Sequence, residues 1–264
     1  MKKLVLFLGL VTLSAGLMQA ANCSGTMTLA ALTATALPGG CDFNGFNFNN
    51  FEVGNYIASP NFSGATQYDT LSNPGNVANY LATFVALSGG GVSVTFTGAV
   101  VQSDGLPAWT VKTTPATTDF ANFAFEIKYN IGNGTDANPA NNKSVNNLQT
   151  LAATLGGVVY SGPGSGPNPN SEASSTFSKV SQVGLGLQSV TDKIAYGSGS
   201  QTKTLNLTPN ATGSMAITDN LSLDLFDVPN GQLTVTSLGN AFDFNSPVPE
   251  PMTTGLMEIG RAHV

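Results

Sequence analysis

The chain has a single histidine, His263, and a single arginine, Arg261, both within its last four residues. Charged side chains make up only 9% of the 264 residues, and there are two cysteines. Between residues 22 and 257, six lysines face fourteen acids, a net charge of −8. Each shortage excludes a chemistry. Without histidine there is no Ser-His-Asp or Cys-His nucleophile and no histidine-built zinc site, and two thiolates cannot supply a four-thiolate one. An acidic surface without arginine is a poor match for a phosphate backbone, so no nucleic-acid partner is expected. Paired carboxylates of the glycosidase type stay formally open. With no catalytic motif in view, the chain is expected not to be an enzyme and to need no cofactor.

Long apolar runs are also scarce. The one at the start, Leu4 to Leu13, follows Met1-Lys2-Lys3 and leads into Ser14-Ala15-Gly16. This is the pattern of a secretory signal peptide over 1–21, cut after Ala20 or Ala21, and it is shorter than the roughly 20 residues of a membrane span. Asn22 before Cys23 fits poorly with lipoprotein processing. In an exported protein, Cys23 and Cys41 are expected to form one disulfide, closing a loop that joins a first strand near Thr26–Thr33 to a turn at Pro38-Gly39-Gly40. Two free thiols or an intermolecular bridge are the alternatives.

The body is rich in Gly, Asn, Ser and Thr, and its apolar residues alternate with polar ones. Val92, Val94 and Phe96 share one face of a strand, as do Phe123, Phe125, Ile127 and Tyr129, with Glu126 and Lys128 pointing outward. Leu205–Leu207, Leu221–Leu225 and Leu233–Thr236 read as further strands. Pro229-Asn230-Gly231 reads as a hairpin turn, because Asn-Gly tolerates positive φ. Helices are expected over Asn73–Leu87 and Asn146–Leu155. The fold class expected is all-β, an antiparallel β-sandwich of jelly-roll or immunoglobulin-like kind, as one domain over 22–246. The Gly/Pro-rich stretch 162–171 is expected to be a surface loop, with a domain linker as the alternative.

Beyond Ser246 the chain reads Pro247-Val248-Pro249-Glu250-Pro251, then Met252 to Met257. The Val248-Pro249-Glu250-Pro251 element resembles the PEP-CTERM sorting signal of exported Gram-negative proteins. The early Cys23, the Gly40-Cys41 pair and Phe48-Asn49-Asn50-Phe51 are similar to small proteins carrying that signal. The resemblance implies an exosortase-type processing enzyme as partner, a transient membrane anchor through a C-terminal helix, and a place at the cell surface or in an exopolysaccharide matrix. It implies no molecular activity. The apolar helix and arginine cluster of the signal are missing over 247–257. Glu258-Ile259-Gly260-Arg261-Ala262-His263-Val264 reads as a translated sequencing-library adapter, so the natural chain is expected to continue past about Met257.

Three sets of side chains are candidate sites. Asp219, Asp224 and Asp227 could offer oxygen ligands to calcium, and Asp136 to Asn141 opens like a calcium loop but lacks its sixth-position glycine and twelfth-position glutamate. Solvated strand faces and turn-forming Asp explain both without an ion. Trp109, with Tyr56, Tyr68 and Tyr80, could form a sugar-stacking platform or simply fill the core. Phe43, Phe46, Phe48 and Phe51 lie between asparagines in a strand that is either core or an assembling edge. The function expected is a structural or interaction protein of the cell surface or exopolysaccharide matrix. The alternative is a secreted carbohydrate-binding or carbohydrate-active module.

Overall fold

The structure is a computed structural model that describes residues 20–60, 80–98, 109–113, 120–162, 172–183, 186–195, 201–207, 213–226 and 228–244. The expected signal peptide up to residue 19, the expected sorting element Val248–Pro251, the adapter-like tail, Tyr68, Asp227 and nearly all of the 162–171 stretch lie outside the described residues.

The fold is an antiparallel β-sandwich, as the alternation predicts. Strands are numbered in chain order. One sheet has seven strands: β1 (Ala21–Asn22), β3 (Cys41–Phe43), β4 (Phe46–Pro60), β8 (Phe120–Asn133), β14 (Ser214–Phe226), β11 (Glu172–Val183) and β12 (Gly186–Ala195), in that spatial order. All its pairings are antiparallel except the two-residue β1–β3 contact. A six-stranded sheet runs β13 (Gln201–Asn206), β9 (Thr150–Gly156), β16 (Ser237–Asp243), β6 (Val92–Gly98), β5 (Tyr80–Ala86), β2 (Thr26–Thr28). A small third sheet places β15 (Gln232–Thr234) between β10 (Val159–Ser161) and β7 (Thr110–Lys112).

The small sheet continues the six-stranded one. β9 runs on into β10, and β15 into β16, and the two lines pair along both stretches. The break between them falls at Gly157, whose φ of 61° favours glycine and whose Cβ, were there one, would collide with Thr236.

The period-two alternation fills the space between the layers. On β8 the inward residues are Phe123, Phe125, Ile127, Tyr129 and Ile131, all buried. On β14 they are Met215, Ile217, Asp219, Leu221, Leu223 and Leu225. Aromatic rings tie the layers together. Tyr129 stacks on Phe51 at 5.2 Å and meets Phe96 at 5.6 Å, and Phe48 meets Phe84 edge-on at 5.2 Å. At the other end Phe125 holds Trp109 at 5.1 Å and Tyr80 at 5.2 Å.

Four expectations are corrected. The first strand stops at Thr28, whose hydroxyl accepts from Ala31 N and starts a four-residue helix, α1 (Leu29–Leu32), that buries Leu29 and Leu32. The described part of Asn73–Leu87 is strand β5, because Tyr80, Ala82 and Phe84 bury at period two while Thr83 and Val85 face out. Asn146–Leu155 divides into a 3-10 turn, Val145–Asn147, capped by Ser144, and strand β9, with Leu151, Ala153 and Leu155 inward. The turn at Pro229–Gly231 exists, and Asn230 has φ 52°, yet it is not a hairpin. It carries the chain from β14 into β15, in a different sheet, and Thr113 fastens it by accepting from Gly231 N and donating to Val228 O.

Cys23 and Cys41 form the expected disulfide, with Cα atoms 5.0 Å apart and both residues buried. The bridge closes the segment holding α1, and Cys23 N donates to Asp42 O at 2.9 Å beside it. Closing a loop of this length contributes about 3 kcal/mol by chain entropy. Reduction, or the paired change Cys23→Ser with Cys41→Ser, is expected to lower unfolding stability by about that amount in urea titration. An unchanged midpoint would show that the segment is held by the burial of Leu29 and Leu32 alone.

Candidate functional site

The outer face of the seven-stranded sheet carries a cleft of about 410 Å³. Its floor is built from cross-strand partners on β14, β8 and β4. One rung is Thr218–Lys128–Glu52, the next is Ala216–Asn130–Asn49, and on the other side lies Asn220–Glu126–Gly54. Ala216 and Ala34, both on its lining, are small, which makes the face hollow there.

A β-bulge shapes one wall. The β4–β8 register shifts between Asn49 and Glu52, so Asn49 and Asn50 both sit between two inward phenylalanines, Phe48 and Phe51. Asn50 takes φ 56°, the left-handed region that asparagine tolerates better than most side chains, and it stays exposed on the cleft's edge.

Lys128 lies between two carboxylates. Its Nζ is 2.6 Å from Glu126 Oε1 and 3.9 Å from Glu52 Oε1. The hydrogen bond to Glu126 raises the lysine pKa, desolvation opposes it, and the charges of Glu126 and Glu52 add to the rise. Glu126 was expected to point to solvent. It does occupy the outward register, but Lys128 lies over it and its side chain is only 10% exposed.

The neighbouring amides form a relay towards the disulfide. Asn130 Nδ2 donates to Asn49 Oδ1 at 3.3 Å, Asn49 Nδ2 to Asn47 Oδ1 at 2.6 Å, and Asn47 Nδ2 to Asp42 Oδ1 at 3.0 Å. Asp42, next to Cys41, also accepts from the backbone and hydroxyl of Thr135. Ala34, on the opposite wall, belongs to the segment that the disulfide closes.

Beneath the cleft the two layers share a buried polar cluster. Asn240 Nδ2 from β16 donates to Asp219 Oδ2 at 2.5 Å and to the Tyr129 hydroxyl at 2.8 Å. Burial and the nearby Asp219 charge push the Tyr129 phenol well above its usual pKa, against a smaller opposing effect of the Asn240 hydrogen bond.

Of the calcium candidates, Asp219 and Asp224 are not brought together, and Asp227 lies outside the described residues. Asp219 and Asp224 lie five residues apart on one strand, so the alternation sends them to opposite faces. Asp219 is fully buried in the cluster just described, while Asp224 faces outward and accepts from Ser222 at 3.0 Å. Asp136 is a turn former: it accepts from Asn138 N at 2.7 Å and from Asn141 Nδ2, ahead of the 3-10 turn Pro139–Asn141. Among the described residues no group of three His, Cys, Asp or Glu side chains could hold a metal ion.

Among the described side chains of the expected stacking platform, Trp109 and Tyr80 offer no exposed ring face. Trp109 is 3% and Tyr80 1% exposed, and both rings pack on Phe125 in the core. Phe46, Phe48 and Phe51 are core residues as well, and Phe43 packs against them. The residues of the cleft floor were missed in the sequence, although Glu126, Lys128 and the Asn49-Asn50 doublet all lie in segments read there as strand.

No protein-family model and no curated protein matches the chain. Among solved structures, TmCBM61 in complex with β-1,4-galactotriose aligns over 73% of this chain and 88% of its own, at 12% identity and a TM-score of 0.26. TmCBM27, a carbohydrate-binding module studied for specific mannan recognition, aligns over 73% and 98%, at 7% identity and 0.22. The enzymatically active domain of tailspike protein 4 from bacteriophage CBA120 aligns over 71% of this chain and 19% of its own, at 11% and 0.22. Likenesses at these TM-scores carry no functional argument.

The Tyr129 environment sets an alkaline limit. Its pKa is raised in the folded state above the unfolded value of about 10, so the neutral phenol's contribution is intact below pH 10 and is lost as pH rises through the folded value. Urea midpoints are expected to fall above about pH 10 and to fall less in Tyr129→Phe. Equal declines in the two proteins would remove Tyr129 from that account.

Proposed function

We propose that the chain is an exported interaction protein of the cell surface or exopolysaccharide matrix, acting by non-catalytic contact with a hydrated neutral polysaccharide. The observation that carries this reading is the outer face of the six-stranded sheet. Thr26, Thr83, Thr95, Gly239, Thr154 and Thr202 are successive cross-strand partners, one from each of the six strands. Hydroxyls pair along this rung, Thr26 with Thr83 at 2.8 Å and Thr154 with Thr202 at 2.9 Å. Gly239 at its centre lets Thr154 pack close, since a Cβ there would come within 3.3 Å of Thr154 Cβ. Asp243 is the one charged residue at the outward positions of the described parts of this sheet. A broad hydroxyl-lined face almost free of charge suits a partner that offers hydroxyls and no charge.

The cleft supports contact rather than turnover. Glycoside hydrolysis needs one carboxyl kept neutral near another that is ionised. Here an ammonium separates Glu52 from Glu126. The disulfide supports an oxidising compartment. Surface delivery rests on the Val248-Pro249-Glu250-Pro251 element and an exosortase-type enzyme.

Two measurements test this reading. Replacing Thr95 and Thr154 with Lys should weaken retention of the folded protein on a neutral exopolysaccharide gel by about tenfold, or about 1.4 kcal/mol. Retention unchanged by both lysines removes the threonine face from the function. Expressed from its genomic locus, the protein should reach the surface fraction, and Pro249→Ala with Pro251→Ala should leave it unprocessed in the membrane. Normal surface delivery of that variant rules out sorting through this element.

A further inference from the structure

We propose that the cleft on the opposite sheet is a second site, which grips a short stretch of a neutral saccharide chain through vicinal hydroxyls. The ligand class rests on the matrix reading above, but the site rests on its own geometry.

The volume of about 410 Å³ lies in the range of small-ligand sites and holds a few sugar units rather than a folded partner. The polar groups converge from three strands: Glu52 and Asn50 from β4, Lys128 and Asn130 from β8, and Thr218 from β14. Acceptor and donor alternate across the floor, with the Glu52 carboxylate 3.9 Å from the Lys128 ammonium. A vicinal diol matches that spacing, because one hydroxyl donates to a carboxylate while its neighbour accepts from an ammonium. At 3.9 Å the Glu52–Lys128 pair is loose enough to be bridged, whereas the 2.6 Å contact with Glu126 holds the lysine in place. The amide relay to Asp42 likewise fixes the orientation of Asn130.

Other ligand classes fit poorly. An anion would meet the Glu52 carboxylate beside an ammonium whose charge Glu126 already pairs, and a metal cation would meet the ammonium itself. The two rings that border the cleft, Phe51 and Tyr129, are buried and stacked on each other, so no ring face is offered to a nucleobase. An apolar ligand would have to strip water from the Glu52 carboxylate and the Lys128 ammonium. The bulge that exposes Asn50 at a left-handed φ is the kind of local irregularity that re-aims side chains at binding sites.

The test uses the secreted, oxidised full chain and neutral trisaccharides of gluco, galacto and manno configuration, with a uronic acid trisaccharide as the charged comparison. NMR titration should shift the amides of Lys128, Asn130 and Thr218 with at least one neutral probe. The uronic acid probe should bind about tenfold more weakly. Lys128→Met combined with Glu126→Gln, which leaves no buried carboxylate without its cation, should weaken the neutral probe by about tenfold with native near-ultraviolet circular dichroism. Ala216→Arg keeps every polar group and fills the hollow, so it should abolish binding. Val159→Lys, at an exposed position on β10 outside both faces, should leave it unchanged. The proposal is overturned if no neutral probe shifts the cleft amides, if the uronic acid binds best, or if Ala216→Arg binds normally. Gel retention without trisaccharide binding sinks only the cleft, and trisaccharide binding without gel retention sinks only the matrix reading.

Discussion

The register between strands 120–133 and 214–226 is the constraint on which the rest of the sandwich depends. The two strands pair without interruption from Ser214 opposite Gly132 to Phe226 opposite Phe120. In a ladder of period two, a slip of one residue exchanges the two faces completely. Here it would send Leu221, Leu223 and Leu225 to solvent and bring Thr218 and Asn220 inward. The same register places Lys128 between Thr218 and Glu52, and Tyr129 and Asp219 within reach of Asn240. Core and cleft are therefore two faces of one pairing. The Asp219–Asn240–Tyr129 cluster reinforces it, because polar atoms in an apolar core must find one another and can do so in few arrangements.

The seven-stranded sheet tolerates its irregularity on the other side of β8. The extra asparagine of Phe48-Asn49-Asn50-Phe51 is absorbed by a bulge, so both phenylalanines remain inward and two amides face out. Asn49 does not stand alone. It connects through Asn47 to Asp42 beside the disulfide, and thence to Thr135 just past the end of β8. The abundance of asparagine, which looks like low-information composition in the sequence, is in this region a hydrogen-bonded framework. The scarcity of charge has a similar structural expression: Lys128 and Lys143 each have a specific seat. Lys143 donates to Gly90 O at 2.6 Å over the rings of Phe46 and Phe244, and its burial lowers its pKa.

Much of the fold was legible because strand alternation is a local signal. Val92–Phe96, Phe123–Tyr129 and Leu221–Leu225 all bury the faces that their patterns indicate. The two helices expected were errors of period, since short apolar runs such as Tyr80–Ala86 fit either reading until their neighbours across the sheet decide. The Pro229–Gly231 turn was correct as a turn and wrong as a hairpin, because which sheet the next strand joins is a long-range matter. The calcium set failed on information already present: positions 219 and 224 differ in parity, which alone separates them across a sheet. The cleft was hidden for another reason. Its floor assembles from residues near 50, 130 and 217, brought together only by the β4–β8–β14 pairing, and nothing within any one segment marks it. Trp109 shows the converse, where an eye-catching residue proved to be filling.

The bridge between Cys23 and Cys41 has a consequence beyond stability. Ala34, one wall of the cleft, is carried on the segment that this bridge closes, while the floor is held by the sheet. With the two thiols reduced, that wall is held by the burial of Leu29 and Leu32 and by backbone hydrogen bonds; with the bridge formed it is also fixed covalently beside the rung of Thr218, Lys128 and Glu52. The covalent bond thus couples the shape of the cleft to the redox state of its surroundings: an oxidising medium stiffens the wall and a reducing one loosens it.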